Sequence, residues 1–292
     1  MTPNGRIILG GIALAVLIPG ALGCQPDAAV PLASNDSVEA SVAGGPGGGG
    51  LVLPVLETYA DTVAMRVYEA SGGPAAWQDL PFLRFSYTIE REGRRVRTVH
   101  HFWNRMTGDY RLELRGPGGD PYVVLFNVKT RQGWAYWKGD SLDVTGNAEK
   151  MDIANRRFIT DTYWLVAPFR LFDPGVHRAY APDSSDTATD AIHLTFDDEA
   201  VTPFDHYWLF VNKETGRLIR WTYVLPDDGP DTPPRSFVWD TYEEYVTPGG
   251  SLFFSTRKRG VGTPVAIYTE AIETPTLVPK GMFTVPDARL RK

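Results

Sequence analysis

The sequence predicts a mainly β protein of the α+β class, a large curved antiparallel sheet of about eleven strands with two main helices packed on one face. Three observations carry this. The 292 residues include 29 Gly, 23 Pro and eight Trp, with 12% aromatic residues, a mixture that favours strands and turns over a helical bundle. Short alternating runs recur between turn signals, as in an antiparallel meander. Only two stretches carry the three-and-four spacing of an amphipathic helix. Charge and cysteine usage narrow the function classes. A hydrophobic fraction of 43% against 22% charged excludes a disordered chain, and a net charge of −6 gives no basis for a nucleic-acid partner. One cysteine excludes an intrachain disulfide framework and a multi-cysteine zinc site.

Near the N-terminus, Arg6 precedes an apolar run, Ile7 to Leu22, interrupted by Gly10, Gly11, Pro19 and Gly20. At about 16 residues the run is short against the ~20 needed to span a bilayer, so residues 1–23 read as a secretory signal. Ala21-Leu22-Gly23-Cys24 resembles the lipobox of bacterial lipoproteins, although Ala21 stands where Leu is usual and Leu22 where a smaller residue is usual. The resemblance implies that Cys24 becomes the first mature residue and carries the lipid. An ordinary signal with a chance cysteine, or an uncleaved anchor, are the alternatives. Gln25 in place of Asp permits, by the same analogy, sorting to the outer membrane, facing the periplasm. Residues 24–50, rich in Gly from Gly44 onward, read as a flexible tether with an end-to-end distance of about 28 Å.

The folded domain is assigned to residues 51–292. Leu56, Ala60, Val63, Val67 and Ala70 lie on one helical face, and Ser71-Gly72-Gly73-Pro74 stops that helix. A second helix is predicted from Asn147 to Pro168, with Asn147 as cap and Glu149 in its first turn. Its stripe is Met151, Ala154, Phe158, Thr162 and Leu165, running on to Phe169 and Phe172. Each helix needs an apolar surface, and the sheet is the one on offer.

Hairpin turns predict the inner face of that sheet. A two-residue Glu92-Gly93 turn pairs Glu90 with Arg95, Ile89 with Val96, Tyr87 with Thr98, Phe85 with His100 and Leu83 with Phe102. A four-residue loop, Lys213 to Gly216, sets Trp208 opposite Trp221, Phe210 opposite Ile219 and His206 opposite Tyr223. A loop from Thr130 to Gly133 pairs Phe126 with Trp137 and Val128 with Ala135. Further strands are expected at 110–114, 192–196, 235–245, 252–259 and 264–272. Together they place Phe85, Tyr87, Phe102, Phe126, Trp137, Trp208, Phe210, Trp221 and Tyr223 on one aromatic face. Such a face is the ordinary core of a sheet under helices, or in part the lining of an apolar pocket.

Tyr207-Trp208-Leu209-Phe210-Val211-Asn212-Lys213-Glu214-Thr215-Gly216-Arg217-Leu218, with Arg259 to Pro264 and Met282-Phe283-Thr284-Val285-Pro286, resembles the Lol-type lipoprotein-carrier superfamily (LolA/LolB-like). The resemblance implies a half-open β-barrel of about eleven strands, helices over its concave side and a cavity for acyl chains. It rests on turn patterns over roughly residues 55–288 and transfers no functional residue.

Catalytic signatures are absent from the sequence. The five histidines form no His-Glu-x-x-His, and there is no Gly-x-Ser-x-Gly elbow, phosphate loop or dinucleotide fingerprint. His100 and His101 are expected to point to opposite faces of a strand. Asp197-Asp198-Glu199 and Asp227-Asp228 read as solvated loop charge, and the Arg94, Arg95, Arg97 and Arg257, Lys258, Arg259 clusters as edge-strand charge or contacts to anionic headgroups. The expectation is therefore a non-enzymatic, lipid-anchored envelope protein without cofactor or metal, binding a hydrophobic small molecule or lipid through the nine rings. The alternative is a structural or scaffolding lipoprotein that binds a protein partner in the envelope.

Overall fold

The computed structural model describes residues 53–197, 205–225, 228–229 and 231–290. Cys24, the signal, the tether, Asp198, Glu199 and Asp227 lie outside the described residues. In chain order the elements are α1 (Tyr59–Ala70), α2 (Gly73–Gln78), β1 (Phe82–Arg91), β2 (Arg94–Asn104), β3 (Asp109–Arg115), β4 (Pro121–Asn127), β5 (Gly133–Trp137) and β6 (Asp140–Ser141). Then follow α3 (Val144–Val166), β7 (Val176–Tyr180), β8 (Thr189–Phe196), β9 (His206–Asn212), β10 (Leu218–Val224), β11 (Arg235–Thr247), β12 (Gly250–Gly260) and β13 (Val265–Glu273).

All thirteen strands form one antiparallel sheet in the order β6-β5-β4-β3-β2-β1-β13-β12-β11-β10-β9-β8-β7. The two beyond the expected eleven are the short edge strands β6 and β7. Two meanders meet at β1–β13, so the far edges β6 and β7 are consecutive in the chain and α3 must bridge them. Its 23 residues span about 34 Å. The helix contacts β4 and β5 on one side and β12 on the other, which lays it across the concave side of an open sheet.

The helices follow their periodicity but begin differently. Thr58 caps α1, exchanging hydrogen bonds with Asp61 in a capping box; Leu56 lies before the helix and is exposed. Gly72 has φ +120°, and a Cβ there would stand 2.2 Å from the Ser251 carbonyl oxygen, so the turn between α1 and α2, which sets α2 against β12, requires glycine. Pro74 opens α2 instead of merely closing α1. Asp143, not Asn147, caps α3: the Gly146 amide donates to Asp143 Oδ1 at 2.7 Å. Asn147 lies one turn inside and accepts from the Ala135 amide at 2.9 Å, tying the helix to β5. Asp143→Ala is expected to lower stability by about 1 kcal/mol in urea unfolding, the usual worth of such a cap.

Register departs from expectation at two β-bulges. Glu92 and Gly93 both have positive φ, as a two-residue hairpin turn needs, and Glu90 pairs Arg95 as expected. The ladder then shifts by one residue, giving Ile89–Arg97, Tyr87–Val99, Phe85–His101 and Leu83–Trp103. Because the side-chain period is two, the shift turns every later residue of β2 over. Phe102 therefore faces the convex side, not the hollow. In the same way Val211 pairs Leu218, but the next pairs are Phe210–Arg220, Leu209–Trp221 and Tyr207–Tyr223. Trp208 and Phe210 leave the concave face, and Tyr207 and Leu209 replace them. The third hairpin pairs Phe126 with Gly133, Val124 with Ala135 and Tyr122 with Trp137. Phe126, Ala135 and Trp137 share the expected face with different partners.

The convex side is not bare. The segment after β13 crosses it, packing Val278, Met282, Phe283 and Leu290 against Phe82 and Phe102. Under this strap lie Arg111 and Glu113, both fully buried and joined at 2.7 Å.

Candidate ligand-binding hollow

Under the end of α3 the concave side carries an aromatic box. Trp164 stacks on Trp221 at 5.8 Å and on Trp239 at 6.2 Å, and meets Phe237 edge-on at 5.0 Å. Trp221 and Trp239 stack at 5.6 Å with their planes 7° apart. Tyr163 meets Trp221 at 5.5 Å, and Tyr207 meets it at 5.0 Å. This follows from two periodicities: alternate residues of β9, β10 and β11 point inward, and Tyr163 and Trp164 come down from the helix. Four polar tips in the box, Tyr163 OH, Trp221 Nε1, Tyr223 OH and Trp239 Nε1, are buried with no hydrogen-bond partner among the described residues. Burial pushes the Tyr223 phenol up to about 12.

Beside the box a cleft of about 150 Å³ opens at the sheet rim, lined by Tyr223, Pro234, Arg235, Ser236, Phe237, Val261, Thr263 and Val265. Arg235 stands there with Asp228, which it holds through both terminal nitrogens at 2.7 and 3.1 Å. Deeper along the same strands lies Lys258, fully buried. Its Nζ donates to the Ser255 carbonyl at 2.6 Å and to Thr269 Oγ1 at 3.2 Å, and sits 4.8 Å from the Trp239 ring centre. Burial pushes this ammonium well below the ordinary lysine range.

Toward the first meander the hollow carries a polar chain. His101 Nδ1 lies 2.8 Å from Tyr110 OH, and Nε2 lies 3.4 Å from Asp161 Oδ2 of α3. Phe85 stacks on the imidazole at 4.5 Å. Burial lowers the affinity of His101 for a proton. Burial by itself would raise the Asp161 carboxyl, but the bond from His101 and the charge of Arg157 bring it below the ordinary range. The chain joins β2 and β3 to α3 through the apolar layer. His100, on the other face, bonds Ser86, so the two histidines diverge as expected.

Of the nine predicted rings, Phe85, Tyr87, Trp221 and Tyr223 lie in the main concave core. Phe126 belongs to the smaller concave cluster, 5.2 Å from Tyr110. Trp137 is half-buried near the sheet edge under Lys138. Phe102 lies under the convex strap. Trp208 stacks on His193 at 4.6 Å, and Arg220 covers Phe210 at 3.6 Å, both on the convex face. The residues sequence reasoning missed are Tyr163, Trp164, Tyr207, Trp239, Lys258 and the His101–Asp161 pair. Phe237 and Trp239 alternate within the predicted strand 235–245, and that alternation was signal enough to place them together. Among the described residues no group of three His, Cys, Asp or Glu could hold a metal, and no helix is long and apolar enough to cross a membrane.

No family model and no curated protein matches the chain. Among solved structures it is similar to the LolA superfamily protein NE2245 from Nitrosomonas europaea, at 11% identity over 77% of this chain and 97% of that one, TM-score 0.45. A DUF1329 family protein from Desulfovibrio piger is similar at 15% identity over 76% and 94%, TM-score 0.40. MucB is similar at 12% identity over 74% and 93%, TM-score 0.25.

Proposed function

We propose that this protein is a non-catalytic envelope lipoprotein that holds the hydrocarbon of a hydrophobic guest, an acyl chain or the lipid part of a lipoprotein, in the hollow of its half-barrel. The observation that carries the reading is the set of unpartnered polar tips in the aromatic box. Each buried group left without a partner costs about 1–3 kcal/mol. A guest with an apolar chain and acceptor oxygens satisfies such donors while its chain is removed from water, at about 25 cal/mol per Å² before the costs of association. The rim cleft beside Tyr223 and Phe237 is the way in. Phe85, Tyr87, Phe126, Trp137, Trp221 and Tyr223 are the proposed contacts from the original nine, joined by Trp164 and Trp239. Acylation at Cys24 and the tether to residue 50 would keep this hollow within about 28 Å of the membrane surface, which we assign to the periplasmic side of the outer membrane.

Native mass spectrometry of gently purified protein, followed by displacement of a bound fluorescent fatty acid, tests the reading. Retained lipid and a displaceable signal that weakens in Trp239→Ala are expected. Protein that carries no lipid and takes up no probe overturns it, and a stoichiometric protein crosslinked in cells in place of lipid supports a scaffolding role instead. For the anchor, metabolic labelling with an alkyne fatty acid is expected to mark wild type and not Cys24→Ala. Label that survives the substitution removes the lipoprotein assignment.

A further inference from the structure

The chemistry at the floor of the hollow specifies the guest more narrowly. We propose that the guest is a free fatty acid, bound as its carboxylate, with Lys258 as the counter-ion; this rests on the ligand-binding reading above. Lys258 is fully buried and has no carboxylate within ion-pair distance among the described residues. The acid next to its strand partner Trp239 is Asp240, which is turned to the other face and held by Arg259 at 2.6 Å. Two acceptors, the Ser255 carbonyl and Thr269 Oγ1, leave the ammonium one donor short of saturation. The indole nitrogen of Trp239, whose ring lies against Nζ, also has no acceptor among the described residues. A cation and a neighbouring donor, both buried and both short of an acceptor, match a carboxylate. Charge-assisted bonds to such a group are the strong ones.

Lys258 lies on the strands that form the cleft wall, one side-chain repeat further in. Phe237 pairs Gly260, and Trp239 pairs Lys258, two residues further along. Val265 lines the cleft, and Ile267, two residues on, pairs Lys258. Lys258 thus lies about 7 Å beyond the cleft wall on the same face. In the proposed complex the acid enters carboxylate first to meet Nζ, and its hydrocarbon tail lies along the aromatic box toward the rim.

The test compares decanoate with its methyl ester on delipidated full-length protein, by displacement of a neutral fluorescent ester probe at pH 7. The acid is expected to bind about 10- to 100-fold more tightly, the worth of one hydrogen-bonded charge contact. Lys258→Met is expected to bring the acid to the affinity of the ester and to leave the ester unchanged. Equal binding of acid and ester by wild type overturns the carboxylate assignment and leaves the ligand-binding reading standing. Binding of neither overturns both. Should Lys258→Met not fold, the wild-type comparison decides alone, and Lys258→Arg, which keeps the charge, is expected to keep the preference for the acid.

Discussion

Arg111→Met is expected to destabilise the protein by about 3–5 kcal/mol, the usual cost of removing one partner of a buried ion pair. Arg111 Nε donates to Glu113 Oε1 at 2.7 Å, and both side chains are fully buried. The rest of the guanidinium is spent on the convex strap: Nη1 donates to the carbonyls of Met282 at 3.0 Å and Val285 at 2.8 Å, and Nη2 to that of Asp287. Glu113 completes the clasp by accepting the Arg289 amide at 2.7 Å and the Leu290 amide at 3.1 Å. Methionine fills the space of the stem but leaves a carboxylate buried without a cation and three carbonyls without a donor. Urea unfolding reads the loss. Hydrogen exchange at the Arg289 and Leu290 amides reads the strap separately, and faster exchange there is expected to precede global unfolding. Arg111→Met combined with Glu113→Leu is expected to recover part of the stability, because neither charge of the pair is left buried without its partner. A cost below 1 kcal/mol for the single variant means that the strap is held by its apolar contacts alone.

That strap also explains why register was the least legible part of the sequence. Alternation reports which face is buried only when one face is wet. Here β2 buries Val99 and His101 and half-buries Trp103 on the concave side, and buries Phe102 on the convex side, so both registers look amphipathic. The features that choose between them are remote in sequence. His101 has partners on β3 and α3, and Phe102 has Met282, Phe283 and Leu290. The bulge after Leu218 has the same character: it puts Arg220 opposite Phe210, a pairing that alternation disfavours, and the guanidinium lies over the ring at 3.6 Å. What rests on local signals was legible. The Glu92-Gly93 turn, the α1 and α3 stripes and the eleven longer strands all come from spacing and turn chemistry. From sequence, Lys258 looks like solvated edge-strand charge because it stands between Arg257 and Arg259. Its burial follows only from Trp239 being its strand partner.

Lys258→Met is expected to have the opposite effect on the guest-free protein, stabilising it by about 1–4 kcal/mol at neutral pH, as apolar replacements of buried charges do. Met is similarly long and unbranched, and its thioether accepts the contact with Trp239. The Ser255 carbonyl keeps a donor in Thr269 Oγ1 at 3.0 Å, so no acceptor is orphaned. The pH dependence separates charge from packing. Burial lowers the folded-state pKa of Lys258 well below 10.5, so between those two values the unfolded chain binds more protons than the folded one. Wild-type stability therefore climbs with pH across that window, with a slope approaching about 1.4 kcal/mol per pH unit. The variant lacks this contribution. Its advantage is expected to be widest on the acid side of the window and to close as pH approaches 10.5. Urea midpoints of both proteins at several pH values, with unchanged m values, measure it. A variant less stable than wild type throughout means that the two hydrogen bonds of Nζ outweigh the cost of burying it. A variant that is more stable when empty yet blind to the acid identifies Lys258 as a residue kept for binding at the expense of stability.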